Sequence, residues 1–252
     1  MKRLFYILLL ISNSAFGMQN DALFEEANAL YNENKFTEAI AKYEEILRTG
    51  VHSSELYYNL ANAHYKLNNI APSVYYYEKA RLLDPNDKDI ANNLAFAQNM
   101  TIDAIDEMPQ TGLSRFSERI LGKLSYNNWA MLSVIFVFLF VILFLVYYFS
   151  YSSLTKRIGF IASTILLLLA IASVTIAFQQ FEIDKEDNPA IVFAEKTSVR
   201  TGPKYSDEEV FVLHEGTKVQ VLEGFDNWQR IKLADGKIGW IPQDDIRMLK
   251  DF

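Results

Sequence analysis

WAMLSVIFVFLFVILFLVYYF (129–149) and IGFIASTILLLLAIASVTIAF (158–178) decide the architecture of this chain. No charged residue falls between Leu124 and Thr155, and none between Ile158 and Phe181. A helix needs about 20 mostly apolar residues to cross the roughly 30 Å hydrocarbon core of a bilayer, so each stretch reads as one transmembrane helix. Lys156 and Arg157 separate them and read as a short charged turn. Trp129 opens the first span, and Tyr147, Tyr148 and Tyr151 close it, as amphipathic aromatics do at the headgroup level. A pair of buried helices in a soluble core is the competing reading, but uninterrupted apolar runs of this length fit a membrane better.

The 252 residues leave room for one or two small domains beside the hairpin. The chain has no cysteine, which excludes disulfides, thiolate catalysis and cysteine-held zinc. A formal net charge of −7 argues against nucleic acid as the main partner. Residues 18–128 hold 16 acidic and 10 basic side chains, and residues 179–252 hold 15 and 10. Residues 1–17 read as a signal peptide: Lys2-Arg3, an apolar run from Leu4 to Ile11, then small residues at Ala15 and Gly17. An uncleaved anchor is the alternative. Either form keeps the first residues in the cytoplasm and exports the segment after residue 18. Two spans then place both soluble parts in the periplasm, with the Lys156-Arg157 turn inside. The flanking basic residues alone (Arg115, Arg119 and Lys123 against two in the turn) do not decide the orientation.

Residues 20–100 repeat at a spacing of 34, pairing Ala27 with Ala61, Tyr31 with Tyr65, Asn34 with Asn68, Tyr43 with Tyr77 and Glu44 with Glu78. Each copy holds two helical patterns joined by a polar turn. A 34-residue helix–turn–helix period is that of tetratricopeptide repeats. The second copy resembles that family closely, from Tyr58-Asn59-Leu60-Ala61 through Tyr77-Glu78-Lys79-Ala80 to Leu83-Asp84-Pro85. The first departs from it, with Val51 at the proline position and Ile46 at the second small position. A further first helix, Asp89 to Met100, reads as a cap. Ala27, Ala61 and Ala95 are expected where helices approach closely, and Tyr43, Tyr77, Leu60 and Leu83 between the layers. By resemblance to peptide-binding repeats, the groove surface would carry Phe24, Asn28, Tyr31, Tyr58, Asn62, Tyr65, Lys66 and Phe96. Asn28 and Asn62 could bond the backbone of an extended peptide, because an amide both donates and accepts. Solvated asparagines and core aromatics are the plainer reading. The lysines that grip a terminal carboxylate in chaperone-binding relatives are missing, with Phe24 and Asp89 at two such positions.

Residues 101–128 read as a linker. Met108-Pro109-Gln110-Thr111-Gly112 breaks the pattern, and Leu113, Phe116, Ile120, Leu121 and Leu124 then recur at helical spacing among Arg115, Arg119 and Lys123. This short basic amphipathic helix either lies in the headgroup layer or packs on the repeats.

Residues 190–250 switch to a period of two with glycine punctuation. Lys218 to Leu222 and Gln229 to Leu233 alternate, and Asp235-Gly236 predicts a type I′ hairpin. The module resembles the bacterial SH3 domain, on Val199-Arg200-Thr201-Gly202-Pro203, on Leu213 to Val219, on Trp228, and on Asp235 to Ile241. That resemblance implies a small all-β barrel of a kind that often binds cell-wall peptides. Trp228 and Trp240 would form such a surface or else serve the barrel's own core and turns.

Catalytic signals are missing. His52, His64 and His214 lack metal-like spacing, Ser53-Ser54 and Ser152-Ser153 lack a nucleophile context, and no glycine loop could cradle a phosphate. No catalytic residue, metal or cofactor is expected. The fold class is a multidomain membrane protein: an all-α tetratricopeptide array, a two-helix transmembrane hairpin and a small all-β SH3-like barrel. This order resembles the BatE proteins of the Bacteroides aerotolerance group. The resemblance implies a non-enzymatic inner-membrane scaffold for a periplasmic complex, serving aerotolerance or envelope stress. It also implies partners among membrane proteins with von Willebrand factor A domains and a MoxR-type ATPase. A cell-wall receptor whose barrel binds peptidoglycan peptides is the alternative from another class.

Overall fold

The computed structural model describes residues 19–105, 108, 121–122 and 124–251. The signal peptide read at 1–17 and most of the amphipathic helix read within 101–128 lie outside them.

The repeats begin with α1 (19–32) and α2 (Phe36–Arg48), followed by α3 (Ser54–Lys66) and α4 (Ile70–Leu83). A fifth helix, α5 (Lys88–Gln98), ends the series. The turn inside each pair is set by one residue type. Asn34 and Asn68 sit at φ 64° and 62°, the left-handed region that asparagine tolerates best after glycine. Lys35 N–H then reaches back to the Leu30 carbonyl at 2.9 Å, and Asn69 N–H to the His64 carbonyl at 3.0 Å. These six-to-one bonds satisfy carbonyls left over at a helix end. Ser53 caps α3 by accepting from Leu56 N–H at 3.1 Å, and Asp87 caps α5 by accepting from Asp89 and Ile90 N–H at 2.7 and 3.1 Å.

Ala27 packs in one cluster with Ala39, Tyr43, Ile46, Leu56 and Leu60, and Ala61 in another with Val74 and Tyr77. Two expectations fail at the far end. Ala95 is exposed, because α5 has no second helix of its own pair to meet among the described residues. Leu83 is also exposed, being the last residue of α4, beyond the layer that Tyr77 and Ala80 fill.

The apolar helices are α6 (Tyr126–Phe149) and α7 (Ser153–Glu186), both long enough to cross a membrane. The expected charged turn is corrected. The connection is Ser150–Ser152, and Lys156 and Arg157 lie in the first turns of α7. Serine, not charge, interrupts the helix, since Ser150 and Ser152 have extended backbones that break it. The second helix also runs beyond residue 178 into a polar end at Glu186. Small residues are buried between the two helices: Ser133, Gly159, Ser163, Ala170 and Ser173. A Cβ at Gly159 would stand 3.2 Å from Tyr147 Cβ. Large apolar side chains such as Phe138, Ile142, Leu168 and Ile171 face outward. This inverts the distribution of a soluble core and suggests membrane association.

Among the described residues seven strands follow: β1 (Pro189–Val192), β2 (Lys196–Arg200), β3 (Glu209–His214), β4 (Lys218–Phe225), β5 (Trp228–Lys232), β6 (Ile238–Pro242) and β7 (Ile246–Met248). They pair antiparallel in the order β3-β2-β6-β5-β4-β1-β7. Alternate residues Val199, Leu213, Val219, Val221, Ile231, Leu233 and Ile241 fill the interior. The Asp235-Gly236 hairpin differs from the expected type I′. Only Gly236 has positive φ there (90°), and Leu233 N–H closes onto Lys237 O at 2.9 Å. The loop is therefore a three-residue one ended by glycine. Among the described residues, the repeats and barrel together form one compact unit, and the two apolar helices belong to another.

Candidate functional site

The first helices of the pairs, α1, α3 and α5, carry the candidate groove. Asn28 on α1 accepts from the Tyr43 hydroxyl at 2.6 Å and from the Asn59 amide at 3.1 Å. One repeat on, Asn62 on α3 accepts from the Tyr77 hydroxyl and, at 3.1 Å, from the Asn93 amide. All three partners recur at the same spacing, so the groove holds two rungs of one ladder. Burial pushes the Tyr43 and Tyr77 hydroxyls well above the usual tyrosine range, which keeps both as donors.

Each rung uses one half of its central amide. Among the described residues, the NH2 groups of Asn28 and Asn62 make no hydrogen bond in this arrangement. Exchanging oxygen and nitrogen through a whole rung would free the oxygens instead. In both arrangements half an amide stays open, and a peptide backbone offers a partner for either half.

The other expected groove residues divide. Asn28 and Tyr31 line a cavity of about 270 Å³ with Asn32, Tyr43 and Asn59. Tyr58 joins the second rung, its hydroxyl accepting from Asn93 at 2.8 Å and its ring edge-on to Tyr77 at 5.9 Å. Phe24 is half-buried against Tyr43, at 5.9 Å between ring centroids, and Tyr65 is half-buried beside the Ala61 cluster. Lys66 is exposed at the end of α3, and Phe96 is exposed on α5. Asn59 and Asn93, which also lie 34 residues apart, join the expected residues in the two rungs.

On the barrel, Trp228 is buried, with the exposed Tyr205 ring edge-on at 4.9 Å. Trp240 is half-buried between Arg200 and Arg230 on the neighbouring strands. Tyr205 had no periodic signal to mark it. Among the described residues no group of three His, Asp or Glu side chains could hold a metal ion.

The tetratricopeptide repeat family model matches residues 54–87, and the bacterial SH3 domain model matches residues 195–247. Among solved structures the chain is similar to one described as "Crystal structure of YrrB: a TPR protein with an unusual peptide-binding site". Identity is 15%, over 65% of this chain and 74% of that one, with a TM-score of 0.29, too loose a superposition to transfer a site. No curated protein sequence matches the chain. The chain thus combines a tetratricopeptide region, two apolar helices and an SH3-like barrel. The first points to protein partners, the last is consistent with peptidoglycan binding, and no enzyme family is indicated.

Proposed function

We propose that this protein is a non-enzymatic inner-membrane scaffold that assembles a periplasmic complex by holding an extended segment of a partner in its repeat groove. The observation that carries this reading is the ladder: the same Asn–Tyr–Asn rung twice, each with half an amide unused. Successive rungs present like groups to a backbone whose own groups also recur. Phe24, Tyr31, Tyr58, Tyr65, Lys66 and Phe96 would add side-chain contacts. The module order, similar to that of BatE proteins, favours membrane proteins with von Willebrand factor A domains and a MoxR-type ATPase system as partners, in aerotolerance or envelope stress. A signal peptide at 1–17 and two spans would place both soluble parts in the periplasm. The shared fold of repeats and barrel supports a common side for the two, because two crossings return the chain to the side it left.

Co-purification from solubilised membranes tests the proposal. Asn62→Ala with Tyr65→Ala should reduce recovery of the von Willebrand factor A partner about thirtyfold, the loss of roughly 2 kcal/mol typical of an anchor residue. Tyr205→Ala with Trp240→Ala should leave recovery unchanged. The second reading, a cell-wall receptor, is favoured by the exposed Tyr205 over Trp228. It takes over if the barrel pair abolishes sedimentation with peptidoglycan and the groove pair changes nothing.

A further inference from the structure

A stack of repeats ends in an open apolar face that something must cover. Among the described residues α5 has no second helix of its pair, and the chain from Thr101 to Ile105 holds no helix. We propose that the barrel is the terminal cap of the repeat array, and that Ile191 and Leu249 are positioning residues that fix α5 and hence the second rung of the groove.

Both ends of the barrel sequence supply the cap. Ile191 from β1 and Leu249 just beyond β7 are wholly buried in one cluster with Ala61, Val74, Tyr75, Tyr77, Leu94 and Ala97. Phe193 stands edge-on to Tyr75 at 5.4 Å. Polar latches surround this contact. Glu78, buried on α4, accepts from Lys218 of β4 at 3.0 Å and from Arg81 at 2.6 Å. Lys79, also buried, pairs with Asp251, and the Tyr75 hydroxyl lies 2.9 Å from the same carboxylate. On the other flank, Asp103 accepts from His214 N–H at 2.7 Å and from the Thr217 hydroxyl at 2.6 Å. Ile105 packs against the barrel interior. Gly216 admits the approach: at φ 84°, a Cβ there would meet Thr101 Cγ2 at 2.7 Å and Ile70 Cγ2 at 2.9 Å. Separate domains that merely touch do not bury a glutamate and a lysine against each other's charges, because unpaired burial of either is strongly unfavourable.

The link to the groove is one residue long. Leu94 belongs to the same buried cluster as Ile191 and Leu249, and its neighbour Asn93 holds Asn62 and Tyr58. A barrel that lets go would release α5 and leave the second rung without its Asn93 donor, while Asn28, Tyr43 and Asn59 keep the first. This rests on the groove reading only for what the rung binds.

Amide hydrogen exchange on the full chain in lipid nanodiscs tests the cap without any ligand. Leu249→Asp should speed exchange in α5 and the second half of α4 at least tenfold, with a smaller change in α1 and α2. Lys218→Gln with Asp251→Asn, which leaves every apolar contact in place, should move the same helices in the same direction. Tyr205→Ala should move neither. Unchanged protection of α5 in the Lys218/Asp251 variant overturns the proposal, whether or not Leu249→Asp folds. A groove that binds no peptide would leave this result standing, so the two readings fail separately.

Discussion

His64 lies flat against Tyr76, ring centroids 5.5 Å apart and planes 13° from parallel. Its Nδ1 lies 3.1 Å from the Asn69 amide, and burial pushes its pKa down to about 4. The unfolded chain therefore binds a proton near pH 6.5 that the folded repeats refuse until about pH 4. Stability is complete above pH 6.5 and falls as pH drops towards 4, by on the order of 3 kcal/mol over that window. Thermal melts of the full chain should follow this slope, and His64→Phe should flatten it. Asp103 contributes on the acid side. Burial alone would raise its carboxyl, but hydrogen bonds from Thr217 and His214 hold it below the usual aspartate range. Its contribution is present above about pH 3.8 and is lost below, as pH falls through the depressed folded value. Asp103→Asn should lower the melting temperature at pH 7 and weaken the acid dependence that remains below pH 4. At this scale the sequence was uneven to read. Asn59 and Asn93 could have been found from the 34-residue period that exposed Tyr43 and Tyr77. Lys218 and Asp251 could not, because partners 140 and 172 residues away leave no periodic trace.

Position 61 and position 95 hold the same residue at the same place in successive repeats, with opposite surroundings. Ala61 has no exposed surface, between Val74 and Tyr77, whereas Ala95 is open. A large side chain at 61 must separate α3 from α4, and overpacking of this kind destabilises by about 1–3 kcal/mol. Ala61→Trp should lower the chemical denaturation midpoint of the repeats in the full chain, while Ala95→Trp should barely move it. Equal effects would mean that α5 carries a covering helix after all. Elements with strong periods were legible: the helices through their repeat, the strands through alternation, the apolar pair through length. Boundaries set by a single backbone torsion were not. The Asp235-Gly236 turn needs one positive φ rather than two, and Ser150–Ser152, not the charged Lys156-Arg157, break the apolar run.

At the scale of the whole molecule, the compact unit of repeats and barrel is discontinuous in sequence, with both apolar helices between its halves. If both helices cross the membrane, Asn86 in the repeats and Asp226 in the barrel must face the same compartment. Single cysteines at these two positions should both react with an impermeant thiol reagent in outer-membrane-permeabilised cells. A cysteine at Ser152, in the connection between α6 and α7, should react only after the inner membrane is opened. Labelling of Asn86 without Asp226 would leave one crossing and contradict the shared core. Module identity was legible in the sequence, but the docking of the modules was not. It depends on side chains such as Phe193 and Leu249, which carry no periodic signal until the partner face is known. The discontinuity also sets an order of events during synthesis. Val74, Tyr75 and Ala97 leave the ribosome long before Ile191 and Leu249. At about 5–20 residues per second, the interval is on the order of ten seconds. Throughout it the nascent repeats expose an apolar face, and Glu78 and Lys79 have yet to meet Lys218 and Asp251. A holding chaperone should find its client there, and releasing it before the second apolar helix has been threaded would strand a half-built fold.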